Sequence, residues 1–339
     1  MAKYISKKVV EMLITILLIV LIVFIMFELI PGNPARIMLG MNASNAQVAA
    51  LEEELGYNQS IFVKIYRYFT DLMHGDLGFS FRFQKPVATL IKDALPYTLF
   101  LALYAFIFLI VLAVPLAILS AHKPNSIIDK TIRVMSETCL AIPPFFMAII
   151  LMLVFKTSQL ALQGGNTDFI IDQAFKNYWM PALAIALSRL AMAMEFLRDA
   201  IIEQRESDYV KTAIGKGASR SRLLFSHVLR NSLVPFITVL GLILAEVFSG
   251  SIIIEQVFLI PGLGRILVTA VEARDFRLTQ GIILLIAFIV VFVNFLVDFI
   301  NQFIDPRMRQ QKKLINRKKN FRIFRNKQKL SHESSRGEP

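Results

Sequence analysis

A single cysteine, Cys139, is all the thiol that the 339-residue chain contains. No intrachain disulfide is possible, and one thiol cannot build a cysteine metal site. Only four histidines occur, His74, His122, His227 and His332, and none stands at ligand spacing from another. Charge is scarce as well: 18% of residues are Asp, Glu, Lys or Arg, against about 25% in a soluble domain. No phosphate-cradling motif is present. The stretch GKGAS (215–219) lacks the four-residue lead and the Gly-Lys-Ser/Thr ending of such a loop. FSGS (248–251) offers serines, but no histidine lies inside an apolar run to act as their base, which argues against an intramembrane hydrolase.

What is abundant is apolar surface. Hydrophobic residues make up 55% of the chain, and the mean hydropathy is +0.58. Crossing the hydrocarbon core takes about 20 apolar residues. Six stretches qualify: 9–30, 97–121, 134–156, 180–203, 233–255 and 279–304. The expected fold class is therefore an all-α membrane protein with six transmembrane helices. The first stretch follows Lys3, Lys7 and Lys8, yet no small-residue cleavage site ends it, so it reads as a retained anchor and not a signal peptide.

Lys and Arg in short loops set orientation. Segments 1–8, 122–133, 204–232 and 305–339 all carry a basic excess. Both termini are expected in the cytoplasm. The chain divides into an N-terminus with the first span (1–30), an external cap (31–96), a membrane core (97–304) and a tail (305–339). The tail holds twelve Lys or Arg against three acids, most of the formal net charge of +12. Beside a last span, such a tail suits anionic membrane lipid. Nucleic acid is not expected as a partner, because no recognition element accompanies the charge.

In the cap, 44–56 reads as an amphipathic helix capped by Ser44 or Asn45 and stopped by Gly56, and 61–75 as a second. The aromatic FSFRF (79–83) is expected near the membrane surface. The outer loop 256–278 turns at Pro261-Gly262 and at Gly264. Nonhelical backbone at membrane depth must be buried in protein or face water. The loop is expected to dip back and narrow the outer mouth; a plain surface loop is the alternative.

Between the fourth and fifth spans lies DYVKTAIGKGASRSRLLFSHVLRN (208–231). Ser207 can cap a helix starting at Asp208, whose carboxylate suits the positive end of the dipole. Gly217 can take the left-handed conformation that ends it. Ser219 can cap a second helix running through Arg220, Arg222 and His227 towards Arg230. The result is a stiff elbow below the membrane. By physics alone it competes with a plain basic loop that only sets topology.

This segment resembles the cytoplasmic coupling motif of ABC-transporter permeases in the oligopeptide, dipeptide and nickel importer branch. The motif's alanine and glycine fall on Ala213 and Gly217. Its leader matches Asp208, Tyr209 and the residues to Ala213, with Lys211 in place of Arg. Its close matches His227, Leu229, Arg230 and Asn231. LIPGNPA (29–35), GDLGFSF (75–81) with Pro86-Val87, and EQVFLIPGLGRIL (255–267) are similar to further signatures of that branch, in order. The last contains Glu255, Pro261, Gly262 and Gly264. The match is to the first of two permease subunits, and it leaves the tail beyond Arg307 unassigned. The resemblance implies a non-enzymatic permease of a prokaryotic cell membrane. It implies as partners a second homologous permease, two ATPase subunits that bind ATP-Mg, and an external binding protein or lipoprotein. No cofactor is expected in this chain. Peptides and nickel or a metal chelate remain alternative cargoes. A secondary transporter acting alone finds no matched broken helices to support it.

Charges inside spans are site hypotheses by default. Arg189 and Glu246 fall at similar depths in the fourth and fifth spans, either as a structural pair or lining the path. Related permeases usually have a small residue where Glu246 stands. Glu195 and Arg198, three apart, form a candidate pair. Glu28 and Glu137 could line the path, but neither has a nameable partner.

Overall fold

The computed structural model describes residues 2–30, 34–39, 43–55, 59–155, 171–219 and 222–304. Helix α1 covers Ala2–Leu29. The cap follows with α2 (Pro34–Leu39), α3 (Asn45–Leu55) and α4 (Ile61–Met73), then a two-stranded antiparallel hairpin of β1 (Phe79–Ser80) and β2 (Lys85–Pro86). Next come α5 (Val87–His122), α6 (Ile127–Ala141), α7 (Pro144–Val154), α8 (Ile171–Glu206) and α9 (Asp208–Gly215). A π-helical segment, Leu223–Leu229, leads into α10 (Arg230–Val257). Helices α11 (Leu263–Glu272) and α12 (Phe276–Ile304) end the described chain. The tail 305–339, Gly56 and most of the outer segment 157–179 lie outside the described residues.

Among the described residues, five helices are long and apolar enough to cross a membrane. A sixth crossing is available only if α6 and α7 count as one span, and these two meet at 109°. The straight third span expected over 134–156 is therefore corrected to a broken one. The cause is local. Ile142 precedes Pro143 and is extended (φ −84°, ψ 122°), because proline's ring bars the helical region to the residue before it. Pro144 then starts α7 at a position where the missing N–H costs nothing.

The core lies between α5 and α8. On α5 the buried residues Ala105, Leu109, Ala113, Ala117 and Ala121 recur every four positions. Such a stripe of small side chains lets two backbones approach closely in lipid, where apolar burial alone gives little drive. Helix α8 answers with Ala182, Ala186, Leu190, Ala193, Leu197 and Ile201, all buried. A second cluster joins α5 to α11 and α12 through Val87, Leu90, Ile91, Leu263 and Ile282.

The cap is fastened to the membrane part at two points. Helix α4 lays Tyr68 against Phe24 of α1, with ring centroids 5.3 Å apart, and burial pushes the Tyr68 phenol above its ordinary value. The hairpin is pinned to the start of α12. Ser80 Oγ donates to Asp275 Oδ2 at 2.5 Å and the Arg82 N–H to the same oxygen at 3.2 Å. Within the FSFRF stretch Ser80 is thus fully buried while Phe79 is half exposed.

The outer loop is also more ordered than its turns suggested. Its middle is helix α11, and the entry to that helix is built on Glu255, which is fully buried. Glu255 Oε2 accepts from the Gly264 N–H at 2.6 Å, and the Leu263 N–H donates to Thr98 Oγ1 at 2.8 Å. Two orphan donors at a helix start are thereby satisfied. A Cβ on Gly262 would collide with the Glu255 carboxylate, and one on Gly264 with the backbone of Ile252. Backbone cannot swing aside as a side chain can. Gly264→Ala is therefore expected to destabilise the purified protein by about 1–3 kcal/mol or more, the usual range for overpacking. Gly250→Ala, where a Cβ meets nothing within 4 Å, should leave the melting temperature unchanged or raised. Thermal unfolding in detergent compares the two.

Candidate functional site

The segment between α8 and α10 folds as a bracket. Helix α8 ends at Glu206, and Ser207 turns the chain with extended dihedrals (φ −69°, ψ 151°) into α9. The Ser207 hydroxyl does not cap α9 as expected. It donates backwards to the Gln204 carbonyl at 2.6 Å, so it finishes α8 instead. Asp208 does stand in the first turn of α9, where it pairs with Lys211 at 3.0 Å.

The far end of α9 closes as the sequence indicated. Gly217 has φ +78°. The Gly217 N–H bonds the Ile214 carbonyl at 2.9 Å, and the Ala218 N–H bonds the Ala213 carbonyl at 3.1 Å. These two bonds are the Schellman closure of a helix end. Ser219 then starts the next turn: its carbonyl accepts from the Leu223 N–H at 2.8 Å and its hydroxyl from the Arg222 N–H at 3.4 Å. Arg220 lies outside the described residues.

The second arm of the elbow differs from expectation. It is no separate helix, because the π-helical segment carrying His227 runs straight into α10 at Arg230, forming one stretch from Leu223 to Val257. Tyr209 bridges the two arms, its hydroxyl 2.9 Å from Gln204 Oε1 and 3.5 Å from the His227 carbonyl. Val210 and Val228 are buried between the arms, while Ile214 and Phe225 are left exposed.

Beside this bracket sits a buried ionic network that sequence reasoning missed. Arg198 of α8 donates through Nε to Asp129 Oδ1 at 2.8 Å and through Nη2 to Oδ2 at 2.7 Å. Asp129 also accepts from the Ser120 hydroxyl and from the Asn125 N–H. Its side chain is 1% exposed and that of Arg198 10%. The candidate pair Glu195–Arg198 does not form, because Arg198 is committed to Asp129 and, through Nη1, to Asp199. Glu195 instead lies 3.9 Å from Arg133. Two turns along α8, Arg205 Nη1 donates to the Ala121 and His122 carbonyls, where a cation suits the negative end of α5. The only sequence signal for Asp129 was the spacing Ser126-x-x-Asp129, a capping pattern, and the Ser126 hydroxyl indeed accepts from the Asp129 N–H.

The other intramembrane charges also found partners. Arg189 Nη1 lies 3.0 Å from Glu246 Oε2. Glu28 pairs with Lys64 of the cap at 2.6 Å, and Glu137 with Arg133 one turn away at 3.5 Å. The lack of a nameable partner for Glu28 and Glu137 is thus corrected. Lys64 was hidden in the cap, and Arg133 had been counted in the loop before the third span.

Comparison with known proteins decides the family. The binding-protein-dependent transport system inner membrane component matches residues 113–310, and the N-terminal region of the same kind of membrane component matches 1–102. The chain belongs to this family. It is 33% identical over 309 residues to a probable D,D-dipeptide transport system permease of Escherichia coli K12, covering 84% of this chain and 91% of that one. An oligopeptide transport system permease of Bacillus subtilis 168 is 32% identical, over 91% of this chain and 99% of its own. A dipeptide transport system permease of Haemophilus influenzae is 33% identical, over 91% and 100%. The chain is thus a multi-pass membrane permease of the ABC importer type.

Arg198→Met should cost about 3–5 kcal/mol of stability, because it strands the buried Asp129 carboxylate. Adding Asp129→Leu should recover much of that loss. A double-mutant cycle of thermal unfolding in detergent measures both.

Proposed function

We propose that this permease is one of two membrane subunits of an ATP-driven peptide importer, and that α9 is its contact with a cytoplasmic ATPase. The observation that carries the reading is the bracket itself. A short helix closed at its far end by the Gly217 turn is held by Val210 and Val228 against two membrane-crossing helices, α8 and α10. Pushing on such a helix moves the spans, whereas pushing on a loose loop would not.

Two ATPase subunits would close on ATP-Mg and reopen after hydrolysis. Each state would grip the elbow differently, and that differential affinity would bias the permease between inward- and outward-open forms. The exposed apolar side chains of α9 and the π-helical segment, Ile214 and Phe225, together with Tyr209, supply a docking face. Asp208, Lys211 and Arg230 are exposed charges on the same elbow. Arg198 and Arg205 tie α8 to α5 and α6 directly above, so that the push reaches several helices at once.

On the outside, α11 seated on Glu255 would narrow the mouth, and an external binding protein or lipoprotein would deliver cargo there. Both chain termini would lie in the cytoplasm. Peptide cargo is favoured because the relatives described above carry out dipeptide and oligopeptide transport by name.

Ile214→Asp tests the elbow. The side chain is 58% exposed, so membrane insertion and thermal stability should be unchanged. Loss of one interface anchor, about 2 kcal/mol, should cut peptide uptake at least tenfold and reduce the ATPase subunits recovered with the purified permease. Unchanged uptake and recovery would return the segment to a loop that only sets topology.

A further inference from the structure

One pair of opposite charges near the middle of the membrane has no part in the elbow or the outer loop. Arg189 sits near the midpoint of the span Ala174–Glu206, and Glu246 about 16 Å in from Val257 at 1.5 Å per residue. They approach to 3.0 Å with 31% and 43% of their side chains exposed. Hydrocarbon is a costly neighbour for half-exposed charge, so this face turns to water or to protein.

The contact is also incomplete. Glu246 Oε2, the oxygen nearest the guanidinium, is itself buried and has no hydrogen-bond partner among the described residues, although the side chain as a whole is 43% exposed. The ions touch without being aligned, so among the described residues this contact leaves acceptor capacity on the carboxylate and donors on the guanidinium unused. This contrasts with Arg198, whose fork meets both oxygens of Asp129. A pair built only to hold α8 to α10 would gain from the same alignment. Exposed apolar side chains flank the pair: Met192 and Phe196 on α8, and Leu242 one turn before Glu246 on α10. The arrangement offers one carboxylate, one guanidinium and an apolar surround on a single partly exposed face.

Resting on the peptide reading above, we infer that Arg189 and Glu246 read the charged ends of the cargo, Glu246 receiving the peptide ammonium and Arg189 its terminal carboxylate. Both side chains are long enough to part by a few ångströms as the cargo enters between them. Each would exchange a poorly aligned partner for a charge-assisted hydrogen bond. When cargo leaves, the pair closes on itself and no charge is left alone in the membrane.

The test uses the complete importer, this permease with its second permease and ATPase subunits, purified without the delivery protein. Equilibrium binding is measured for one short alanine peptide in three forms: free, N-acetylated and C-amidated. The wild-type complex should bind the free peptide about tenfold more tightly than either capped form, the loss expected for one charged hydrogen bond. Glu246→Gln should erase discrimination against the acetylated form and keep it against the amide; Arg189→Gln should do the reverse. Equal binding of all three forms by the wild type, no measurable binding, or an even loss across the three forms in both variants would overturn the inference. Should a neutral variant fail to assemble, Arg189→Lys and Glu246→Asp keep the charges and should retain part of the discrimination. A pattern unrelated to which end is capped would overturn the inference there as well. Failure of the peptide reading is a separate result: cells carrying the complete importer and its delivery protein would take up none of the three forms.

Discussion

Helices α5 and α8 can lie close together because both present small side chains where they meet. In lipid this contact cannot rely on the expulsion of water, so it depends on shape. Alanine at every fourth position of α5, interrupted only by Leu109, supplies a nearly flat strip, and the alanines of α8 fit against it. Everything else is placed relative to this pair. Helices α6 and α7 pack on α8, α10 packs on α8 and α5, and α12 closes over α10 with Gly241 against Val297.

Charge is then used sparingly and between elements far apart in sequence. Lys8 of α1 meets Asp298 of α12 at 2.7 Å, and Lys64 of the cap meets Glu28 at the end of α1. Asp275 holds the cap hairpin, while Asp129 and Arg198 join α6 to α8. A buried ionic contact adds little net stability compared with good apolar packing, but it penalises every other arrangement that would leave one of its charges unpaired. In a bundle of interchangeable apolar helices, that penalty helps to specify which helix lies beside which.

The elbow is placed by packing and by its own turn. Helix α9 is only eight residues long, too short to be stable alone. It persists because Val210 and Val228 are buried against the arms and because its end is closed by the Gly217 turn. Its lower arm is the first part of α10 itself, joined through a π-helical segment. Such segments often occur at functional points in helices. From Leu223 onward the described chain runs without a break into α10.

The amino-acid sequence alone determined that the chain is an all-helical membrane protein, where five of its long apolar helices run, and how α9 ends. These features depend on composition and on neighbours within a few residues: apolar length, Gly217 in a left-handed turn, Ser219 before a helix. The break at Ile142-Pro143 has a local signal in its two prolines, but apolar length alone predicts one unbroken span over 134–156. Tertiary structure alone decided the rest. Asp129 looked like a loop residue until α8 brought Arg198 against it from 69 positions away. Glu255 became a helix cap, and Gly264 indispensable to it, only once α11 folded back on α10. Arg198 could have paired with Glu195 along its own helix, but a bidentate partner on α6 offered two aligned bonds, and periodicity within one helix carries no information about what faces it.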